Sequence, residues 1–319
     1  MWMFLSRRIG FMLVGMLLAS MIIFVLTQVM PGDVAKMILG RWAKEEAVNN
    51  LRKKLGLDRP LYVQYLDWLT DFITGNWGIS LTTRVPARPL VLQRLRNSGR
   101  LAALSLVMFV PLGIFLGVFA ALREDSPIDR FLRGGSMAFT GMPEFVIGLI
   151  LIAVFALALD WLPANSSVGP DAGLVEAIPQ MILPAATVSL VGLGYIVRMT
   201  RSSTIDVLKA DYVRVAHLKG LPRGQVLIKH VLRNALLPTI TVIALSIGWL
   251  IGGLVVTESV FGYPGLGRLM LYAIQRHDLV LIQACAMIVV VTYGVSNLVA
   301  DLLYSVLNPR IRLQQFGVS

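Results

Sequence analysis

Six apolar runs, at residues 9–29, 101–122, 137–159, 178–197, 236–257 and 281–303, punctuate the chain. Each comes close to the ~20 residues that an α-helix needs to cross a hydrocarbon core of about 30 Å. The pattern predicts an all-α polytopic membrane protein with six transmembrane helices. The fourth run carries Pro179, Pro184, Gly192 and Gly194. It is therefore expected to start late, to kink, or to lean on neighbours that satisfy the carbonyls freed by proline.

The polar stretches between the runs carry their own patterns. Between the first two runs, residues 44–54 read as a short polar helix, LGLDRPL at 55–61 as a turn, 62–73 as an amphipathic helix and GNWGISL at 75–81 as a glycine-punctuated loop. Trp68 and Trp77 in this cap read as interfacial anchors. Residues 211–238, DYVRVAHLKGLPRGQVLIKHVLRNALLP, set Arg214, Lys219, Arg223, Lys229 and Arg233 against a single acid, Asp211. Ile205, Leu208, Tyr212 and Val215 recur there at helical spacing, which predicts a short surface helix with one apolar face. Three parts follow: residues 1–30 with the first span, a cap over 31–100, and a core bundle over 101–319 that includes a basic loop at 200–235.

With 56% hydrophobic and 15% charged residues, the chain is too apolar for a soluble domain of 319 residues. Its net charge of +11 is dispersed among loops that flank the spans, which points to membrane lipid headgroups and away from nucleic acid. Arg7 and Arg8 precede the first span, Arg123, Arg130 and Arg133 lie between the second and third, and the 200–234 loop is basic, whereas residues 160–177 hold no Lys or Arg. That asymmetry predicts both termini and the basic loop in the cytoplasm. The cap then lies outside despite Lys36, Arg41 and Arg52 to Lys54, since loops longer than ~60 residues escape the bias. The first run is too long for a signal core and is followed by MPGD, not by a small-residue cleavage site, so it is expected to stay as an anchor. Cys285, the single cysteine, lies inside an apolar run; it permits no intrachain disulfide or thiolate cluster and reads as a small core hydrophobe.

Catalytic patterns are missing from the sequence: it has no GxxxxGK[ST] loop, no HExxH, no GxSxG elbow and no paired cysteines. No catalytic residue, metal site or cofactor is expected on the chain. His217, His230 and His277 read as polar surface residues. Three carboxylates sit in or near spans, where burying a charge costs several kcal/mol, on the order of 3 at a helix centre. Glu144 follows Pro143 near the expected cytoplasmic start of the third span, facing an inner vestibule or the headgroups. Glu258 opens SVFGYPGLGRL, where it caps an external turn or contacts a solute. These two are the candidates for a translocation path. Asp301 is expected to be paired within the bundle and not to relay protons.

Five groups of residues in order resemble one family. They are MPGD after the first span, LGLDRPLYVQYLDWL with GNWGISL, the 211–238 loop, ESVFGYPGLGRL at 258–269 and NPRIR at 308–312. Together they resemble the inner-membrane permease subunits of bacterial ABC importers of the dipeptide, oligopeptide and nickel class, specifically the first of the two permeases. The resemblance implies a type I importer permease fold with a helical periplasmic insertion between the first two spans, in the bacterial inner membrane. It implies half of a translocation pathway for short peptides or similar small solutes, worked by alternating access.

The 211–238 loop is similar to the EAA motif of that family. Aligning Gly220 with the motif glycine sets Arg214, Val215 and Ala216 where the general pattern has Glu, Ala and Ala, and Arg233 where many permeases have proline. The resemblance makes Asp211, Tyr212, Arg214, Ala216, Lys219 and Gly220 the residues that couple to an ATPase. A contact of the motif glutamate does not carry over to Arg214. Gly220 before Leu221 and Pro222 suits a helix that must end and turn back. The implied partners are a second, different permease, two ATPase subunits or domains that hold ATP and Mg, and a periplasmic or lipid-anchored substrate-binding protein. The alternative is an ion-coupled secondary transporter; few intramembrane charges, no inverted repeat and an unexplained basic loop argue against it.

Overall fold

The computed structural model describes residues 2–29, 39, 43–54, 58–167, 169 and 173–307. MPGD, residues 55–57 of the expected turn and NPRIR lie outside the described residues. Apart from one isolated bridge between Ile79 and Pro86, regular structure among the described residues is helical. Among the described residues, five helical stretches are long and apolar enough to cross a membrane: Ser6–Gln28, Ala87–Ala121, Glu176–Leu208, Arg223–Leu250 and Leu279–Leu302. A sixth span, if counted, is a bent pair.

That pair corrects the third expected span. In place of one helix over 137–159, α5 (Pro127–Gly141) and α6 (Glu144–Leu151, running on as a π-helical stretch over Ile152–Ala158) meet at 108°. The cause is local. Pro143 has no N–H and disfavours the α region for the residue before it, and Met142 accordingly sits at ψ 139. Ser126 caps α5 by accepting from the Asp129 N–H at 3.1 Å, with Pro127 at the first helical position. The fourth span behaves differently from its proline content. α7 (Leu174–Leu208) begins before Pro179 and continues through Pro184. It leans on neighbours, with 67% of its apolar stretch buried against 11% for the first span.

The chain divides into two compact units. The first comprises Met1–Ser98 and Pro264–Gly294. Here α1 (Trp2–Val29) packs on α3 (Leu61–Thr74), with the polar α2 (Glu45–Lys54) between them in sequence. Phe24 meets Tyr65 and Trp68 at ring distances of 5.6 and 5.7 Å, and Phe72 stacks on Trp77 at 5.0 Å. Trp77 also donates its indole N–H to the Phe72 carbonyl at 2.9 Å. Trp68 and Trp77 are half-buried and join one aromatic stack through Phe72, because the turn at Gly75 folds the chain back onto α3. A second cluster joins Val91, Leu266, Leu269, Ala273, Leu281 and Cys285, contributed by the start of α4 (Ala87–Ala121), by α12 (Leu266–Gln275) and by α13 (Leu279–Leu307).

The second unit comprises Gly99–Tyr263 and Val295–Ser319. Its core is built on Leu101, Phe109, Val188, Ile196, Leu250 and Tyr263. α5 packs on one side of α7, and α10 (Arg233–Gly253) packs on it as well. The α5 contact requires glycine at 194, because a Cβ there would stand 2.6 Å from the Ser136 carbonyl. A bidentate ion pair closes the same contact: Arg201 donates to both carboxylate oxygens of the fully buried Asp129 at 2.6 Å each.

Candidate functional site

Beyond α7 the backbone turns at Ala210, which is extended at ψ 142, and enters α8 (Asp211–Leu218). The helix ends by a Schellman arrangement. The Gly220 N–H donates to the His217 carbonyl at 3.0 Å and the Leu221 N–H to the Ala216 carbonyl at 3.4 Å. Gly220 stands at φ +76°, a left-handed conformation that a Cβ penalises. Pro222 then precedes α9 (Arg223–Val226), which continues through a π-helical stretch, Leu227–Leu232, into α10.

The two arms of this turn share a small core. Val213 and Ala216 on α8 pack with Val226, Val231 and Ala235, and Leu221 completes the cluster. Of the expected stripe of Ile205, Leu208, Tyr212 and Val215, only Leu208 packs against this core. The break at Lys209 and Ala210 resets the helical phase, so Ile205 is buried on α7 while Tyr212 and Val215 face outward. A Val-x-x-Ala spacing followed by Leu221 was the available signal for the true inner face. Of the six expected coupling residues, Asp211, Tyr212, Arg214, Lys219 and Gly220 are exposed, and Ala216 is buried in the turn's core. The Tyr212 hydroxyl accepts from Asn234 Nδ2 at 2.9 Å, which ties the outer surface of α8 to α10. Leu218, at the tip, is 79% exposed.

One candidate path carboxylate, Glu144, reaches the helix that carries the other, Glu258. Thr257, on α11 (Val255–Val260), donates its hydroxyl to Glu144, and the neighbouring Glu258 is fully buried. The expectation placed these residues at opposite membrane faces. The 108° bend instead brings the start of α6 against α11. Beyond α11, burial and then the charge of Glu258 push the Tyr263 phenol well above its ordinary range. Asp301 lies half-buried on α13. His217 and His277 are exposed and His230 is half-buried. Among the described residues no group of three or more His, Cys, Asp or Glu is placed to hold a metal ion.

Two buried carboxylates of structural weight escaped sequence reasoning. One is Asp129; the Ser126-Pro127 helix start was a readable hint of its place but not of its partner. The other is Asp278, which accepts from Ser80 Oγ at 2.5 Å, the Thr82 N–H at 2.9 Å and the Leu281 N–H at 3.2 Å.

Among the described residues, helices long and apolar enough to cross a membrane, with a helical turn between two of them, define a polytopic membrane protein. The family model for binding-protein-dependent transport system inner membrane components matches residues 113–313, and a model for the N-terminal part of such components matches residues 1–88. The chain belongs to this family, the permeases of ABC importers. It is 39% identical to a probable peptide ABC transporter permease, y4tP, of Sinorhizobium fredii, over 97% of this chain and 99% of that one. It is 34% identical to the dipeptide transport system permease DppB of Escherichia coli K12, and 36% identical to the glutathione transport system permease GsiC of Salmonella typhimurium LT2. Both of those matches span 97% of this chain and 98% of the relative. Among solved structures, the crystal structure of an amino acid ABC transporter with histidines shares the fold, with a TM-score of 0.54 at 15% identity over 68% of this chain and 93% of that one.

Proposed function

We propose that the chain forms half of the translocation pathway of an ATP-driven importer for short peptides or similar small solutes, and that α8 is its docking element for an ATPase. The observation that carries this reading is the outward surface of α8. Tyr212, Val215 and Leu218 stand exposed beside Arg214 and Lys219, on a turn whose own core is already filled by Val213, Ala216 and Val226. An apolar patch with a basic rim, held rigidly from beneath, fits a groove on a partner protein. The peptide assignment is supported by the three relatives, each named for a peptide or for glutathione.

In this reading ATP and Mg are held by two partner ATPase subunits, and closure of that pair moves α8 together with its counterpart on a second, different permease. The Schellman turn and the shared core transmit that motion, because α8 cannot shift without carrying α9 and the start of α10. The bend between α5 and α6 lies within the same unit and sets Glu144 against Thr257 on the helix that carries Glu258, where these carboxylates would line the path. Both termini and α8 face the cytoplasm of a bacterial inner membrane. The cap over 31–100 lies outside, where a periplasmic or lipid-anchored binding protein delivers its cargo.

The test is reconstitution in lipid with the ATPases and second permease that the reading requires. Peptide-loaded binding protein is expected to stimulate ATP hydrolysis and peptide uptake together. Hydrolysis that ignores the loaded binding protein, or uptake that follows an ion gradient without ATP, contradicts the proposal.

A further inference from the structure

Between α5 and α7 a cleft of about 440 Å³ opens, and its charge is unbalanced. Three guanidiniums line it: Arg133 from α5, and Arg198 and Arg201 from α7. Arg201 is taken up by its bidentate pair with Asp129. Arg133 and Arg198 are exposed and form no ion pair among the described residues; Arg198 lies 5.8 Å from the ring of Tyr195. Arg133 adds only a longer-range attraction to the same Asp129, so three guanidiniums share one carboxylate and the hollow keeps a net positive charge.

The position of the cleft narrows the ligand. Arg198 directly follows the apolar run of 178–197, so the cleft lies where hydrocarbon gives way to the phosphate layer. Met137 and Val197 add an apolar wall, and Ser202 a hydroxyl at the rim. The floor is fixed, because α5 and α7 touch at Gly194 with no room for a side chain. Guanidinium forks match the oxygens of phosphate better than a point charge does. We propose that this cleft binds a phosphate-bearing anion through Arg133 and Arg198, supplied as the headgroup of an acidic phospholipid or as free phosphate. The bound anion offsets the repulsion between the two arginines and ties α5 to α7 beside the 108° bend.

The experiment uses the full chain in a neutral detergent. It is titrated with phosphatidylglycerol, with phosphatidylcholine and with inorganic phosphate, and bound ligand is counted by native mass spectrometry. For a lipid source, phosphatidylglycerol binds more tightly than phosphatidylcholine. The double variant Arg133→Gln/Arg198→Gln then weakens it by about 30-fold, and Arg198→Gln alone by about 5-fold. For a soluble source, inorganic phosphate binds and is lost in the double variant, while the two lipids bind alike. Arg123→Gln removes an equal charge outside the cleft, at a guanidinium 3.9 Å from the Phe119 ring, and should leave both affinities unchanged. The proposal is overturned if the Arg133/Arg198 variants bind every ligand as the wild type does, or if Arg123→Gln weakens binding as much as they do. Unliganded melting temperatures equal to wild type confirm that the variants are folded, as expected for two exposed side chains.

Discussion

Two turns in this protein are built from the same ingredients and use their charges in opposite ways. The turn between α12 and α13 passes through His277 at φ +55° and then buries Asp278 completely, so that its carboxylate gathers a serine hydroxyl and two backbone N–H groups. The turn after α8 passes through Gly220 at φ +76° and leaves Asp211, Arg214 and Lys219 in the open. In the first, polar groups replace water for one another and hold the turn to the 79–86 loop. In the second, alanine and valine hold the turn and the charges are left for something else. A buried carboxylate with a full set of donors is a fastening, whereas in the proposed reading the exposed charged rim over a filled core is a surface for a partner.

Substitutions at the two turns should therefore separate stability from coupling. The largest effect is expected for Asp278→Ala. Removing the carboxylate orphans Ser80 Oγ and the N–H groups of Thr82 and Leu281, at ~1–3 kcal/mol for each buried group that finds no water, so unfolding in detergent should show a loss of about 3 kcal/mol. Asp278→Asn sharpens the point. An amide has one acceptor oxygen, while the donors approach both carboxylate oxygens, and the loss should be about 2 kcal/mol by the same measurement. Gly220→Ala is smaller, about 1 kcal/mol for a Cβ in the left-handed region, although no atom blocks that Cβ. Gly220→Pro cannot adopt φ +76° at all and should abolish transport while the chain still inserts, as read by uptake against membrane abundance. Asp211→Lys stands last in stability, within about 0.5 kcal/mol of wild type, yet it should cost the complex its uptake. A stable protein with normal uptake after Asp211→Lys would break the contrast between the turns.

The sequence shows these two regions unequally. The basic run with Gly220 and Leu221-Pro222 marks a helix that must stop and return, because those signals act within a few residues of where they stand. Asp278 is tied to Ser80 across 198 residues of sequence, and Asp129 to Arg201 across 72. No local pattern announces partners at that distance. Span lengths were legible for the same local reason, since hydrocarbon thickness sets a residue count. The third span was misread because Gly141 to Pro143 break a run that is apolar but for Glu144; hydropathy is blind to the backbone. The stacking of Trp68 and Trp77 with Phe72 was likewise not legible, since it depends on the fold-back at Gly75. On α8 the helix was legible but its inner face was not, because the phase was carried across a break at Ala210.

The central claim, that the exposed face of α8 docks an ATPase, is tested most directly by cross-linking. The chain's single cysteine, Cys285, is buried, so Leu218→Cys places one reactive thiol at the tip of α8. In the assembled complex that thiol should cross-link to an ATPase subunit through a short bifunctional reagent and should lose its reaction with soluble maleimide. Equal maleimide labelling with and without the ATPases, and no cross-linked product in a complex that still transports, would contradict the assignment.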